Sequence, residues 1–301
     1  MAMAQNQTKK HVTDALFYVL YVAAAILFLA PLLFLFISSL KDETQLISDM
    51  TTLKAFVPYG KMSLENYRQV FEKMDFLHYF RNSALNALLQ VAMGLLVNGM
   101  MGYALGLLEF RGRKFLISLM ISLTIIPTEA VVINRFLVAV NLGVVNTLWA
   151  LALPNLAIPM YIYLFYQHFR GMPKELVEAA VIDGASRWQQ FRSITLPMVM
   201  YQLKPNLIMQ FAGNINNFGA IFFLTGGGPV LKLGTGTDAL NLSIATQAGS
   251  TDNLITWIYK LTMNSNQYNL ASVLSILVFI VLVPFGLYNF MRTKSFKEGE
   301  I

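Results

Sequence analysis

The sequence predicts an all-α fold, a polytopic membrane helical bundle with six transmembrane helices. Three observations predict it. Of the 301 residues, 56% are hydrophobic and only 13% charged, whereas a soluble domain carries about a quarter of its residues as charges. Six stretches are each long enough for the roughly 20 apolar residues that cross a bilayer. Lysine and arginine alternate between the two sides of those stretches.

The first stretch, residues 15–40, exceeds the roughly 7–15-residue core of a signal peptide and is followed by no small-residue cleavage pattern, so it is expected to be retained. The others lie at about 83–108, 115–140, 148–169, 204–224 and 269–291. With the N-terminus, 109–114, 170–204 and 292–301 on the cytoplasmic side, that side holds thirteen bases against seven acids. Bases and acids balance on the outer side, and Glu129 and Arg135 sit within the third span. The net charge of +6 is then a consequence of topology, and the basic character calls for a lipid bilayer rather than for nucleic acid. The absence of cysteine excludes disulfides, thiolate metal sites and cysteine nucleophiles.

Between spans one and two, residues 41–82 are polar, with a turn signal at Pro58-Tyr59-Gly60 and a short amphipathic helix expected from Ser63-Leu64-Glu65-Asn66 towards Phe80. Residues 141–147 are few, which makes spans three and four neighbours. Residues 225–268 open on Thr225-Gly226-Gly227-Gly228-Pro229, irregular by composition, and run on to Trp257-Ile258-Tyr259-Lys260. Trp257 and Tyr259 suit either a protein interface or anchoring at the membrane surface. The whole chain reads as a single domain without internal repeats.

Residues 170–203 carry the most specific pattern. Gly171-Met172-Pro173 puts a proline at the start of a short helix, Lys174 to Ile182, which Asp183-Gly184 ends because glycine tolerates positive φ. Ser186 and Gln189 have capping-box spacing for a second helix, with Trp188, Phe191 and Ile194 on one face and Pro197 at its end. The pattern predicts a helix–turn–helix knuckle on the cytoplasmic side.

Glu178-Ala179-Ala180, Asp183-Gly184-Ala185, then Phe191, Ile194, Leu196 and Pro197 resemble the EAA loop of ABC-importer permeases. The resemblance to the maltose-type carbohydrate permeases covers nearly the whole chain. Ser38-Ser39-Leu40-Lys41, Asn82-Ser83, Gly102-Tyr103-Ala104 and Arg111-Gly112 look like the six-span subunit of that class. Gly213-Asn214-Ile215-Asn216-Asn217-Phe218-Gly219, Leu224-Thr225-Gly226-Gly227-Gly228-Pro229 and Thr256-Trp257-Ile258-Tyr259-Lys260-Leu261 look like its larger partner. Span count and the short N-terminus favour the six-span position.

The resemblance implies a type I importer permease fold in a bacterial cytoplasmic membrane, with both termini in the cytoplasm. It implies a second permease subunit, two ATPase subunits, an extracytoplasmic solute-binding protein and a carbohydrate substrate of oligosaccharide size. Glu178, Ala179, Ala180, Asp183, Gly184, Phe191 and Pro197 would couple to the ATPase. The chain contains no G-x-x-x-x-G-K-[ST] loop, so no cofactor is expected in it, and ATP and magnesium fall to the partner subunits.

In span five, Gln210, Asn214, Asn216 and Asn217 lie among Phe211, Phe218, Phe222 and Phe223. Amides that donate and accept, beside aromatic faces, suit an uncharged polyhydroxylated solute, and the resemblance carries that role to Asn216, Asn217, Phe218 and Gly219. The alternative is that the amides join helices by hydrogen bonds. Glu129 and Arg135 read either as a gate or charged-sugar contact, or as groups reaching the outer interface. Gly102 and Gly106 have the spacing for close helix approach, within the chain or at a subunit boundary. His11, His78 and His168 are too scattered for a metal or catalytic set. Two other classes remain: a self-sufficient secondary carrier or channel, for which Glu129 and Arg135 are the only intramembrane ionisable groups, and a polytopic enzyme, for which no catalytic cluster can be assembled.

Overall fold

The computed structural model describes residues 2–74, 76–228, 249 and 251–291, and every regular element in them is helical. The expectations for Pro229, the Gly/Thr/Ser run after it and the C-terminal bases lie outside the described residues. Helix α1 spans Ala2–Leu40, α2 Glu43–Asp49, α3 Glu65–Lys73, α4 Phe76–Leu107, α5 Arg113–Leu123, α6 Val132–Asn141, α7 Leu148–Ala152 and α8 Pro159–Arg170. The second half holds α9 Lys174–Ile182, α10 Arg187–Gln190, α11 Leu196–Ile215, α12 Gly219–Leu224, α13 Leu254–Met263 and α14 Tyr268–Met291.

The all-α membrane class stands, while the expectation of six continuous spans is corrected. Among the described residues, three helices are long and apolar enough to cross a bilayer unbroken, within Thr13–Leu40, Phe76–Leu107 and Tyr268–Tyr288, and Leu148–Asn155 with Pro159–Arg170 forms a fourth if its 53° bend is allowed. The stretch at 115–140 is broken into α5, a 3-10 turn at Thr128–Val131 and α6. Pro127 disfavours helical geometry at Ile126 and cannot donate a helical hydrogen bond. Pro154 and Pro159 have the same effect between α7 and α8. The stretch at 204–224 stops at Ile215 and resumes at Gly219.

Non-helical backbone inside a bundle needs side chains to satisfy it, and amides do so here. At the bend before α8, the Ile158 N–H donates to Asn98 Oδ1 at 2.9 Å, and Asn98 Nδ2 donates to the Gly94 carbonyl. Asn98 belongs to a row on α4, Asn82, Asn86, Gln90, Gly94, Asn98, Gly102 and Gly106, spaced four residues apart and buried throughout. The two glycines settle one alternative: a Cβ on either would collide with Phe165 or Phe169 of α8, so their spacing serves packing within the chain.

Among the described residues the two largest cores lie apart. In one, Val70, Met74, Tyr79, Leu254, Trp257, Leu261 and Leu274 join α3, α4, α13 and α14. In the other, Phe165, Phe169, Met172, Val199 and Leu203 join α8 and α11. Only 6% of the apolar window of α1 is buried, which leaves that helix for lipid or another chain, although its last turn is fixed. There Lys41, fully buried, pairs with Asp49 at 2.9 Å and donates to the Lys54 carbonyl at 2.8 Å. The expected helix after Ser63 is α3. Helix α2, capped by Asp42 accepting from the Gln45 N–H at 2.7 Å, and the 3-10 turn Leu53–Phe56 were hidden in the polar composition of 41–62.

Candidate functional site

The knuckle forms as its residues dictate. Helix α9 ends with Asp183 as its cap and Gly184 at φ +77°, and the Gly184 and Ala185 N–H groups donate back to Val181 and Ala180 carbonyls at 3.0 and 2.9 Å. Ser186 caps α10 in a full capping box with Gln189. The expected end at Pro197 is corrected: α10 continues through a π turn at Phe191–Thr195 directly into α11, with Pro197 near the start of α11. The wider turn shifts the hydrogen-bond register just before a residue that has no N–H to give. The knuckle is therefore continuous with α11.

Its inner side rests on the bundle. The Phe191 ring meets Tyr103 of α4 edge-on at 5.8 Å and stacks on Trp188 at 5.7 Å, and Ala180 and Thr195 are buried. Below the rings lies a cavity of about 600 Å³ lined by Tyr103, Phe165, Phe169, Trp188 and Met200. Its outer side is open. Ile182 is 85% exposed, Trp188 66% and Val181 59%, beside exposed Leu176, Glu178, Ala179 and Asp183. An exposed apolar patch of this kind suits contact with another protein or with a membrane.

The second candidate cluster lies at the break after α11. Asn214 has a buried Nδ2 without a partner, Asn216 is exposed, and Asn217, Phe218 and Gly219 are half-buried. Gln210 lies apart, near Gly94 of α4. The aromatic faces are partly occupied: Phe218 stacks on Phe222 at 4.9 Å and meets Tyr259 of α13 at 4.9 Å. Arg135 donates to Asn155 Oδ1 at 2.7 Å beside a cavity of about 210 Å³, and the Glu129 side chain lies outside the described residues.

The sequence reading missed the residues that hold this break. Asn253 Nδ2 donates to the Asn217 and Ile215 carbonyls at 2.9 and 3.4 Å. Lys260 pairs with Asp252 at 2.7 Å and donates to the Gly226 carbonyl at 2.8 Å. Burial pushes the Asp252 carboxyl above its ordinary range, with the Lys260 ammonium as the main influence in the other direction. A signal was present in Thr251-Asp252-Asn253, a charge and a cap ahead of an apolar helix, but Trp257 and Tyr259 read as surface residues. Trp257 is in fact 1% exposed, its ring 4.3 Å from Tyr79.

Comparisons with known proteins agree with this architecture. The chain is 46% identical over 129 residues to the galactooligosaccharides transport system permease protein GanP of Bacillus subtilis, an alignment covering 43% of this chain and 28% of that protein. It therefore spans well under a third of that relative's length. It is 34% identical over 189 residues to the arabinooligosaccharides transport system permease protein AraQ of Halalkalibacterium halodurans, covering 62% of this chain and 67% of that one. Among solved structures, a chain of a bacterial ABC transporter involved in the import of the acidic polysaccharide alginate superposes with a TM-score of 0.69 over 94% of this chain and 97% of its own, at 14% identity. That likeness shows the fold. The model of the family described as binding-protein-dependent transport system inner membrane component matches residues 98–293, the stretch that holds both clusters, and the chain belongs to that family.

Proposed function

We propose that the chain is a permease subunit of an ATP-driven importer of carbohydrate, of oligosaccharide size, which pairs with a second permease, two ATPase subunits and an extracytoplasmic solute-binding protein. The observation that carries this reading is the knuckle. Its apolar residues Val181, Ile182 and Trp188 are exposed on a structure that runs without interruption into α11, at whose far end lie Asn214, Asn216 and Asn217. A partner that closes on the knuckle moves α11 as a lever and carries the polar break at its far end with it.

On this reading Glu178, Ala179, Ala180, Asp183, Gly184, Phe191 and Pro197 form the coupling element, with Glu178 offering charge to the partner and the alanines close approach. Asn214, Asn216, Asn217, Phe218 and Gly219 contact the solute. The chain itself catalyses nothing, ATP and magnesium being held by the ATPases, and both termini are cytoplasmic. The relatives support the solute class, since their names speak of galactooligosaccharides and arabinooligosaccharides. The test is uptake by the complete complex in proteoliposomes. Uptake that requires ATP and falls at least tenfold in Glu178→Arg, with hydrolysis no longer tied to transport, is the expected result. Uptake by the purified chain alone on an ion gradient would sink the reading in favour of a secondary carrier.

A further inference from the structure

A helix that stops inside a bundle leaves its last carbonyls in need of donors. At the end of α11 the donor is Asn253, from a segment almost forty residues downstream. Asn253 is 1% exposed and held on every side: its Oδ1 accepts from the Thr256 N–H at 2.9 Å, its own N–H donates to Thr256 Oγ1 at 3.1 Å, and the next N–H, of Leu254, donates to Ser83 Oγ of α4 at 3.0 Å.

The same segment grips the other end of α12. Thr251 Oγ1 donates to the Gly228 carbonyl at 2.7 Å, and Lys260 reaches the Gly226 carbonyl while paired with Asp252. Asp252 also accepts from the Gly249 N–H at 2.7 Å and from Thr256 Oγ1 at 2.8 Å. Gly227, at φ +80°, lies so close that a Cβ would collide with the Asp252 carboxylate. Helix α12, six residues long, is thus clamped at both ends by one buried, charge-linked segment, and the polar break is its N-terminal end.

We propose that Asn253, Asp252 and Lys260 are positioning residues for the solute site at the α11–α12 break. They hold Ile215–Phe218 and Gly226–Gly228 as one rigid piece, so the amides at 214–217 meet the solute in a fixed arrangement as α11 moves. The inference rests on the reading of residues 214–219 as the solute site. It deepens that reading, because it makes capture of solute depend on residues that need not touch it.

The test uses the complete complex with its binding protein. Asn253→Ser keeps an oxygen to cap α13 but is too short to reach the α11 carbonyls. Two quantities are read: solute carried per ATP hydrolysed, using whichever of maltotriose, galactobiose and arabinotriose the unmodified complex carries fastest, and amide exchange over 214–224. Asn253→Ser should lower the first at least fivefold and speed the second at least tenfold, with yield of complex and stimulation of hydrolysis unchanged. Asn216→Ala, a direct contact, should lower the first alone. If Asn216→Ala acts while Asn253→Ser leaves both quantities unchanged, the clamp proposal falls and the solute site stands. If none of the three solutes is carried, or neither variant lowers the ratio, the solute-site reading falls and takes the proposal with it. Should Asn253→Ser fail to assemble, Lys260→Gln takes its place, and an unchanged ratio and exchange there overturn the proposal equally.

Discussion

The knuckle at 173–197 and the clamp formed by 225–228 and 251–260 sit at opposite ends of α11, and they spend their side chains in opposite ways. The knuckle leaves Ile182, Val181 and Trp188 in solvent and satisfies its own backbone with a glycine turn and a capping box. The clamp buries an aspartate, a lysine and an asparagine and directs their hydrogen bonds to the backbone of Ile215, Asn217 and Gly226, distant in the chain. On the proposed reading, the surface that receives another protein keeps its internal bonding local and its apolar groups exposed. A surface that must keep its own shape against a moving helix is cross-linked to distant parts of the chain.

The largest effect that separates the two ends is expected at the clamp. Lys260→Met strands the Asp252 carboxylate in a buried site, and removal of one partner of such a pair costs about 3–5 kcal/mol; thermal unfolding of the solubilised chain measures it. The pH dependence has a definite sign. Burial already raises the folded-state value for Asp252, and losing Lys260 removes the main opposing influence. An acid with a raised folded value is favoured at low pH and penalised as pH rises through that value, so the variant should regain stability on acidification from neutral pH. Loss of the same size at every pH would contradict a buried carboxylate as the cause.

A smaller effect on stability, but a larger one on transport, is expected at the knuckle. Gly184→Val forces a branched residue to φ +77° where nothing crowds a Cβ within 4 Å, so the cost is backbone strain alone, about 1–2 kcal/mol. Unfolding should shift little, while uptake by the complete complex drops at least tenfold because α9 no longer meets α10 at the same angle. Equal losses in stability and uptake would erase the distinction between the two ends.

The sequence told the knuckle in detail because its determinants are local: a proline, an aspartyl-glycine turn and a serine three residues before a glutamine fix it within a short stretch of chain. It told less of the spans. Hydropathy sums over residues regardless of helix breaks, so Pro127 and the Asn216-Asn217 pair disappeared inside apolar windows, and Pro197 read as an end where a π turn lets the helix continue. The clamp was illegible for a different reason. Asn253 acts on Asn217 and Ile215, and Leu254 on Ser83, across separations that no periodicity reports. Trp257 and Lys260, taken alone, resemble residues of an exposed loop.

The central claim is that the open face of the knuckle docks on an ATP-hydrolysing partner. Because the chain has no cysteine, a single Ile182→Cys carries the only thiol in it, and the high exposure of that position keeps the substitution from disturbing the fold. In the assembled complex within membranes, a short thiol-directed cross-linker should join this position to the ATPase subunit, with a yield that changes when ATP is added. Absence of any cross-link to the ATPase, or labelling of the thiol by a membrane-impermeant reagent applied from outside, would contradict the account.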